Sequence, residues 1–535
     1  MRRVFIIFAA LLLVVTCTGC RKETVEQKER ALHVASPANP ITLNPLFLRD
    51  AVSAEAAALL HPQLLMTDPE TLEPKPRLFS SWEVKEDNLT YVFTMHEEVY
   101  WSDGTAMTAE DVAFTMRAII HPDYTGWMYP LLQHIKGAKE YRKNHVSPHA
   151  DGKVTGITVV DERTLQVRLE KPHAPFLTYL VFAPLPAHIL ADIHVSELEQ
   201  HVYSRTVPVG AGPYLFGEWR QDEYLYVRAN PDYFLGKPEI EEIYYRVIPN
   251  PETQLIELLA GKLDLIPTAV KVEDIATLQN DPQVRIHRNP RLVYDYIGFN
   301  PARDGSPLAN KKVRRALSLL LDKDGVVENL LLGFAEPLDG PVLPLHYTFD
   351  EEFLIYEENL PAARSLLLSA GYSRITLKLI VNAGNIVREN TALLFKEQAA
   401  KIGVDVNVTL LEWEAFLAAF REGDYDLVAL GRGADADPDL TFHWHTDSPG
   451  NMINYSNEKV DQLLDEGTAV FDPARRTEIY REAQEIIVKD APMIWLYTRQ
   501  AVHAATADLE GFVPHPELLF YNVHQWHFSR EGAEN

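Results

Sequence analysis

Both cysteines of this chain, Cys17 and Cys20, fall within its first 20 residues, and none follows. That removes disulfides and cysteine-based metal sites from the body of the protein. Whatever folds beyond residue 20 must be held by buried apolar surface. A chain of 535 residues has enough of it, and the length predicts more than one domain.

The same stretch explains why the cysteines sit there. Arg2 and Arg3 precede Val4 to Val15, an almost wholly apolar run. Its length suits the hydrophobic region of an export signal and is short for a membrane span, which needs roughly 20 apolar residues. Thr18-Gly19-Cys20 resembles the end of a lipobox, although Cys17 stands where an aliphatic residue is usual. The expectation is a lipoprotein signal over 1–19, cleaved before Cys20, with lipid on the Cys20 thiol. An ordinary cleaved signal, or a short anchor left in place, is the alternative. Residues 20–31 are polar and charged and read as a flexible tether.

Fifty Lys and Arg against 76 Asp and Glu give a formal net charge of −26, and loss of Arg2 and Arg3 makes it −28. Such a surface argues against nucleic acid or anionic lipid as partners. For most of these carboxylates solubility is reason enough. No short-period repeat appears, which argues against solenoids and propellers.

Hydrophobic spacing gives the local structure. Residues 88–101 alternate and read as a strand pair; 157–170 read as a hairpin turning near Asp161-Glu162. Residues 223–234 start as a strand and break at Asn230-Pro231. A strand over 375–384, a helix from about Val387 to Ile402 and a strand over 403–413 form a β-α-β unit, which implies a parallel sheet. Residues 458–491 carry two amphipathic helices. Thr108 with Asp111 three residues on predicts a capping box.

Catalytic motifs are scarce. There is no G-x-S-x-G, H-E-x-x-H or Walker-type loop. Ser456-Asn-Glu-Lys459 matches S-x-x-K, yet it sits where a helix begins and reads as an N-cap. Gly210-Ala-Gly212-Pro-Tyr reads as a tight turn rather than a phosphate loop. His443 and His445, with Asp447, are the one metal-like cluster. They could share a face on a strand, but two ligands and a doubtful carboxylate fall short of a structural site. The expectation is no enzyme, no metal and no cofactor.

Longer segments resemble a known family. "LFSSWEV" (78–84) and "WSDGTAMTAEDVAFTMRAI" (101–119) resemble a hallmark of the family 5 bacterial solute-binding proteins. "VGAGPYLFGEW" (209–219), residues 230–266, 296–344, 423–445 and 480–497 resemble further family segments in the same order. These proteins are the periplasmic or surface receptors of oligopeptide, dipeptide and nickel ABC importers. The resemblance implies an α/β, two-lobed, periplasmic-binding-protein-like fold (type II, with an extra subdomain). Mixed sheets flanked by helices would close over ligand at a hinged cleft. The implied first lobe is 32–275 with the extra subdomain near 68–180, the second is 276–494, and 495–535 return to the first. The implied product is a monomeric, lipid-anchored receptor on the periplasmic or outer face of the membrane, partnered by ABC permease subunits.

A peptide has a positive and a negative end, and burying either unpaired is costly. The middle can be held by backbone hydrogen bonds as an added strand. The resemblance places the amino-end acid in "GADADP", residues 433–438. The family's usual position, four before the proline, is Ala434 here, so Asp435 fits with a one-residue deletion and Asp437 is the second choice. Arg388, at a helix start, is the candidate for the carboxyl end, with Arg432 as runner-up. Trp413 and Tyr425 are candidate cleft walls. Other readings are a nickel- or metal-chelate receptor using His443 and His445, a signalling or adhesion lipoprotein without a transporter, and an unrecognised hydrolase.

Overall fold

The computed structural model describes residues 30–529 apart from 207, 268, 269, 304, 352, 354 and 355. The expected signal, Cys20 and most of the expected tether lie outside the described residues.

The β-α-β unit forms where the spacing places it. Strands Ile375–Asn382 and Val404–Leu411 pair in parallel along their whole length, joined by the helix Ile386–Lys401. Alternation has faded in the first strand, where Leu379, Ile380 and Val381 are all buried, as a sheet covered on both faces requires. Leu427–Gly433 adds a third parallel strand. All three end at one edge, at Asn382, Leu411 and Gly433. Loops at the carboxyl ends of parallel strands are where such sheets bind ligands.

From there an eleven-stranded sheet crosses the molecule. Two long antiparallel strands, Val284–Phe299 and Met493–Thr506, form its middle. Their lower halves, Tyr294–Gly298 and 493–498, belong with the parallel strands; Val284–Pro290 pairs with 500–506 beside Leu265–Ile266. The sheet continues through Leu32–Ser36, Glu242–Val247, Tyr224–Ala229 and Tyr214–Arg220. The ladder breaks between Pro290 and Tyr294, where three residues, Arg291, Leu292 and Val293, stand opposite Arg499 alone. Proline has no N–H for the ladder, which helps end the pairing there. The Thr498 hydroxyl spans the break, donating to the carbonyls of Arg291 (3.2 Å) and Val293 (2.9 Å).

Separate cores lie on either side of this break. Leu32, Val34, Tyr245 and Trp526 anchor one; Phe299, Leu317, Phe395 and Leu496 anchor the other. The largest cluster includes Phe79, Tyr91, Met116 and Phe176 and fills a subdomain around a four-stranded antiparallel sheet. Its helix Ala109–Ile120 buries Val112, Met116, Ile119 and Ile120, and Asp111 Oδ2 accepts from the Thr108 backbone N–H at 2.8 Å, as the capping box requires. This is a two-lobed α/β fold with an additional subdomain.

Four local expectations need correction. Residues 88–101 form one strand, Thr90–Met95, which pairs with the preceding hairpin strand Phe79–Val84 and with the distant Thr164–Arg168, so the alternation belonged to a central strand. The cap of helix Glu458–Ala469 is Asn457, accepting from the N–H groups of Lys459 and Val460, and Ser456 lies one position outside. His443 lies in the short helix Thr441–Trp444 and His445 caps it, so they do not share a strand face. The Gly210-Ala-Gly212 segment is a close approach of two backbones: Gly212 N–H donates to Leu60 O at 2.8 Å, and a side chain at Gly210 would collide with that carbonyl. Among the described residues no helix is long and apolar enough to cross a membrane.

Candidate functional site

The loop after Leu427–Gly433 carries Asp435, Asp437 and Asp439. Asp437 is committed. Arg476 from helix Pro473–Asp490 grips it bidentately, at 2.5 Å to Oδ1 and 2.9 Å to Oδ2, with both side chains buried. Burial works against the Arg476 charge, but the bonds to Asp437 raise its pKa. As a second choice for ligand, Asp437 therefore drops out: its oxygens are already used.

Asp435 is different. His346 Nε2 donates to its backbone oxygen at 2.9 Å, which fixes the loop. Its carboxylate, among the described residues, pairs with no cation. It is solvent-accessible yet surrounded by protein, and burial, then Asp437, push its carboxyl above the usual range. Burial and Asp437 likewise push Asp439 up to about 6.

The facing wall comes from the other lobe. Tyr179 of the subdomain feels the charges of all three aspartates, and Glu517 of the C-terminal return feels that of Asp435. Glu517 accepts from the Thr67 hydroxyl at 3.2 Å, and burial raises its carboxyl. Glu517, Thr67, Asp50, Leu48, Trp127 and Phe182 line a largely apolar cavity of about 630 Å³. Leu72, at the tip of a turn on the same side, is buried and packs into the core cluster of the second lobe.

Four carboxylates thus gather at this end, and the one buried arginine, Arg476, is bonded to Asp437 alone. The opposite arrangement lies at the ladder break. Asp295, 1 % exposed, accepts from Arg388 Nε at 2.6 Å, and Arg499 Nε stands 3.0 Å from its other oxygen as an ion pair without hydrogen-bond alignment. Arg388 Nη1 also donates to Asn382 at 3.1 Å. Arg388 is thereby tied into the wall, and its side chain is largely buried. Arg291 stands beside Arg499, close enough to interact with Glu55 and Asp295, yet makes no ion pair among the described residues. Burial, then Arg499, lower its pKa. Burial pushes Glu55 up to about 7, against the hydrogen bond donated by the Tyr245 hydroxyl.

The remaining candidates are scattered. Arg432 is buried between the Tyr296 and Trp444 rings, 5.5 and 5.9 Å from their centroids, and so is shielded from the cleft. Trp413, half-exposed at the carboxyl end of Val404–Leu411, stacks on Phe416 at the rim. Tyr425 is no cleft wall: it precedes its strand at the opposite end of the sheet and is buried against Phe420. His443 Nε2 donates to Gly433 O at 3.0 Å, while His445 faces Asp465 at 3.8 Å. No group of three or more potential ligands that could hold a metal occurs among the described residues.

Arg291, Arg476, Arg499, Glu55 and Glu517 escaped the sequence reading. Arg476 alone left a signal. It shares a helical face with Ile479, Tyr480, Ala483 and Ile487, all buried, and an arginine on such a stripe needs a buried partner.

Two lobes, two crossing strands and a cleft lined from both sides define the class: a two-lobed solute-binding protein. The family model described as bacterial extracellular solute-binding proteins, family 5, matches residues 73–454, and the chain belongs to that family. It is 28% identical to the oligopeptide-binding protein AppA of Bacillus subtilis over 95% of each chain. It is 26% identical to heme-binding protein A of Haemophilus influenzae, covering 89% of this chain and 88% of that one. The solved structure of the Bacillus AppA in complex with a nonapeptide superposes with a TM-score of 0.77 at 27% identity, covering 94% of this chain and 99% of that one.

Proposed function

We propose that this chain captures peptides between its lobes and delivers them to the permease subunits of an ABC importer, anchored to the outer face of the membrane by lipid on Cys20. The observation that carries the reading is the opposed charge at the two ends of the cleft. An unpaired Asp435 among carboxylates suits an amino terminus, and arginines crowded on Asp295 suit a carboxyl terminus. The similarity to a protein named for oligopeptide binding, solved with a nonapeptide, supports it. Residues 32–275 with 495–535 would act as one lobe and 276–494 as the other. The pivot would be the interrupted ladder at 291–293 and Arg499. His443 and His445 turn to different partners, which weighs against a metal-chelate cargo.

The test is native mass spectrometry of the chain lacking residues 1–19, purified gently. A spread of added masses matching short peptides is the expected result. One discrete non-peptide mass, or a metal complex, would sink the reading.

A further inference from the structure

The largely apolar cavity of about 630 Å³ is built around an exposed tryptophan. Among the described residues only Trp127 and Trp413 of the eight tryptophans are exposed. Tryptophan is highly buried in most folded proteins, so an exposed one invites a reason. Trp127, 54 % exposed, stands in the wall of this cavity, and it is held still. Its indole N–H donates to Leu48 O at 2.9 Å. The Tyr124 hydroxyl donates to Leu46 O at 2.6 Å, and Arg49 Nη2 donates to Thr125 O at 3.4 Å. The subdomain segment 124–127 is thus laced to the first-lobe segment 46–49. Gly126 permits the approach, since a side chain there would collide with the Leu46 carbonyl and the Tyr124 phenol. An aromatic face fixed in advance loses little freedom when something binds to it.

The polar groups around the cavity are mostly committed. Asp50 accepts from the Ser53 N–H at 2.8 Å and from the Ser53 hydroxyl at 2.6 Å. The Thr67 hydroxyl lies 3.2 Å from His515 Nε2 and 3.2 Å from Glu517. Arg49 stands 3.1 Å from Glu199. A peptide backbone inside the cavity would find few partners for its N–H and C=O groups, and burying those unpaired is costly. An apolar side chain needs no partner. Met128, Leu131, Val181 and Phe182 supply the apolar wall it would touch.

The cavity also adjoins both charged ends. Glu517, in one wall, feels the charge of Asp435. Asp50, in another, lies close enough to act on Glu55, on which Arg291 also acts. Resting on the peptide reading above, we propose that this cavity is a side-chain pocket that selects peptides carrying an aromatic residue, with Trp127 as its specificity-determining face. An aromatic ring can stack offset or edge-on against the fixed indole. Lysine or aspartate would give up hydration to apolar walls, and alanine leaves the space unfilled. Successive side chains of an extended peptide point to opposite faces, so one of two neighbouring positions is read and the other is not.

The experiment uses the chain lacking residues 1–19 and tetra-alanine in which Phe, Lys or Asp replaces one residue at a time, all with free ends. Competition is read by native mass spectrometry. At one position Phe should outbind Ala by about tenfold or more, while Lys and Asp do not exceed Ala there. Trp127→Ala should cut the Phe preference about threefold or more, and Trp127→Phe should retain most of it. Val181→Asp, which puts a charge in the apolar wall, should cut the preference as well and carries the test if Trp127→Ala fails to fold. Equal retention of Phe and Ala peptides at every position by wild type overturns the proposal and leaves the peptide reading standing. So does an unchanged preference in folded Trp127→Ala or Val181→Asp. Retention of no peptide overturns the peptide reading, and this inference with it.

Discussion

At one end of the cleft a single arginine, Arg476, holds one of a run of carboxylates, Asp437; at the other a single carboxylate, Asp295, holds two arginines, Arg388 and Arg499. In each case the central ion is deeply buried, while Asp435 at one end and Arg291 at the other stay exposed. The buried ion fixes the geometry, and the unsatisfied neighbours give the cleft its sign. A buried pair contributes little net stability by itself, but it is costly to break, because the survivor is left charged and unpaired. The two ends should therefore respond alike to loss of the central ion and differently to loss of a surplus one.

The largest effect should come from Arg476→Leu, which strands Asp437. A loss of about 3–5 kcal/mol in chemical denaturation is expected, with partial recovery in Arg476→Leu/Asp437→Leu. Recovery of none of the loss would break the comparison at the acidic end. Asp295→Asn is the counterpart at the basic end and should cost about 3 kcal/mol by leaving Arg388 and Arg499 without their shared partner. Asp435→Asn should leave stability within about 0.5 kcal/mol of wild type. It should weaken binding of peptides with free amino ends about 10- to 100-fold by calorimetry, while acetylated peptides are unaffected.

Acid should separate the ends further. Asp435, Asp439 and Glu517 have carboxyls raised above their ordinary values, so the folded protein holds protons there that an unfolded chain would release. Such groups favour the folded state at low pH and lose that contribution as pH rises through the folded pKa, about 6 for Asp439. The Asp439 share of the negative surplus is thus present at pH 7 and fades toward pH 5, whereas guanidiniums do not titrate there. Discrimination between free and acetylated amino ends should weaken as pH falls through about 6, where Asp439 beside the site loses its charge, and discrimination between acids and amides should hold. A smaller loss than either central ion's belongs to Thr498→Val, which removes the hydroxyl spanning the ladder break: about 1–2 kcal/mol in thermal or chemical unfolding.

What could be read in the sequence was what neighbours in the chain decide. The β-α-β unit, the Thr108–Asp111 box and the 157–170 hairpin each depend on residues within a turn or two of one another, and they form as expected. The family's ordered segments carried the two-lobed fold. The pairings that give the cleft its charge have no such signature. Arg476 meets Asp437 across 39 residues and Arg388 meets Asp295 across 93. No spacing rule announces which of several arginines a fold will bring to an acid. Arg388 and Asp437 were therefore singled out for a ligand when the protein itself already engages them. Tyr425 shows the limit in one residue: its aromatic ring is equally at home in a wall or a core, and only its end of the strand decides.

Leu72 sets a rate. Its side chain comes from the first-lobe side and rests in the second-lobe core, so the lobes cannot part without wetting it. Exposing a buried leucine costs about 2 kcal/mol, which makes the parted state roughly 30-fold rarer than it would be with a small residue there. Cargo would enter only during those brief intervals and, once inside, would leave only during them. A smaller residue at position 72 should therefore speed loading and unloading together while moving their ratio much less.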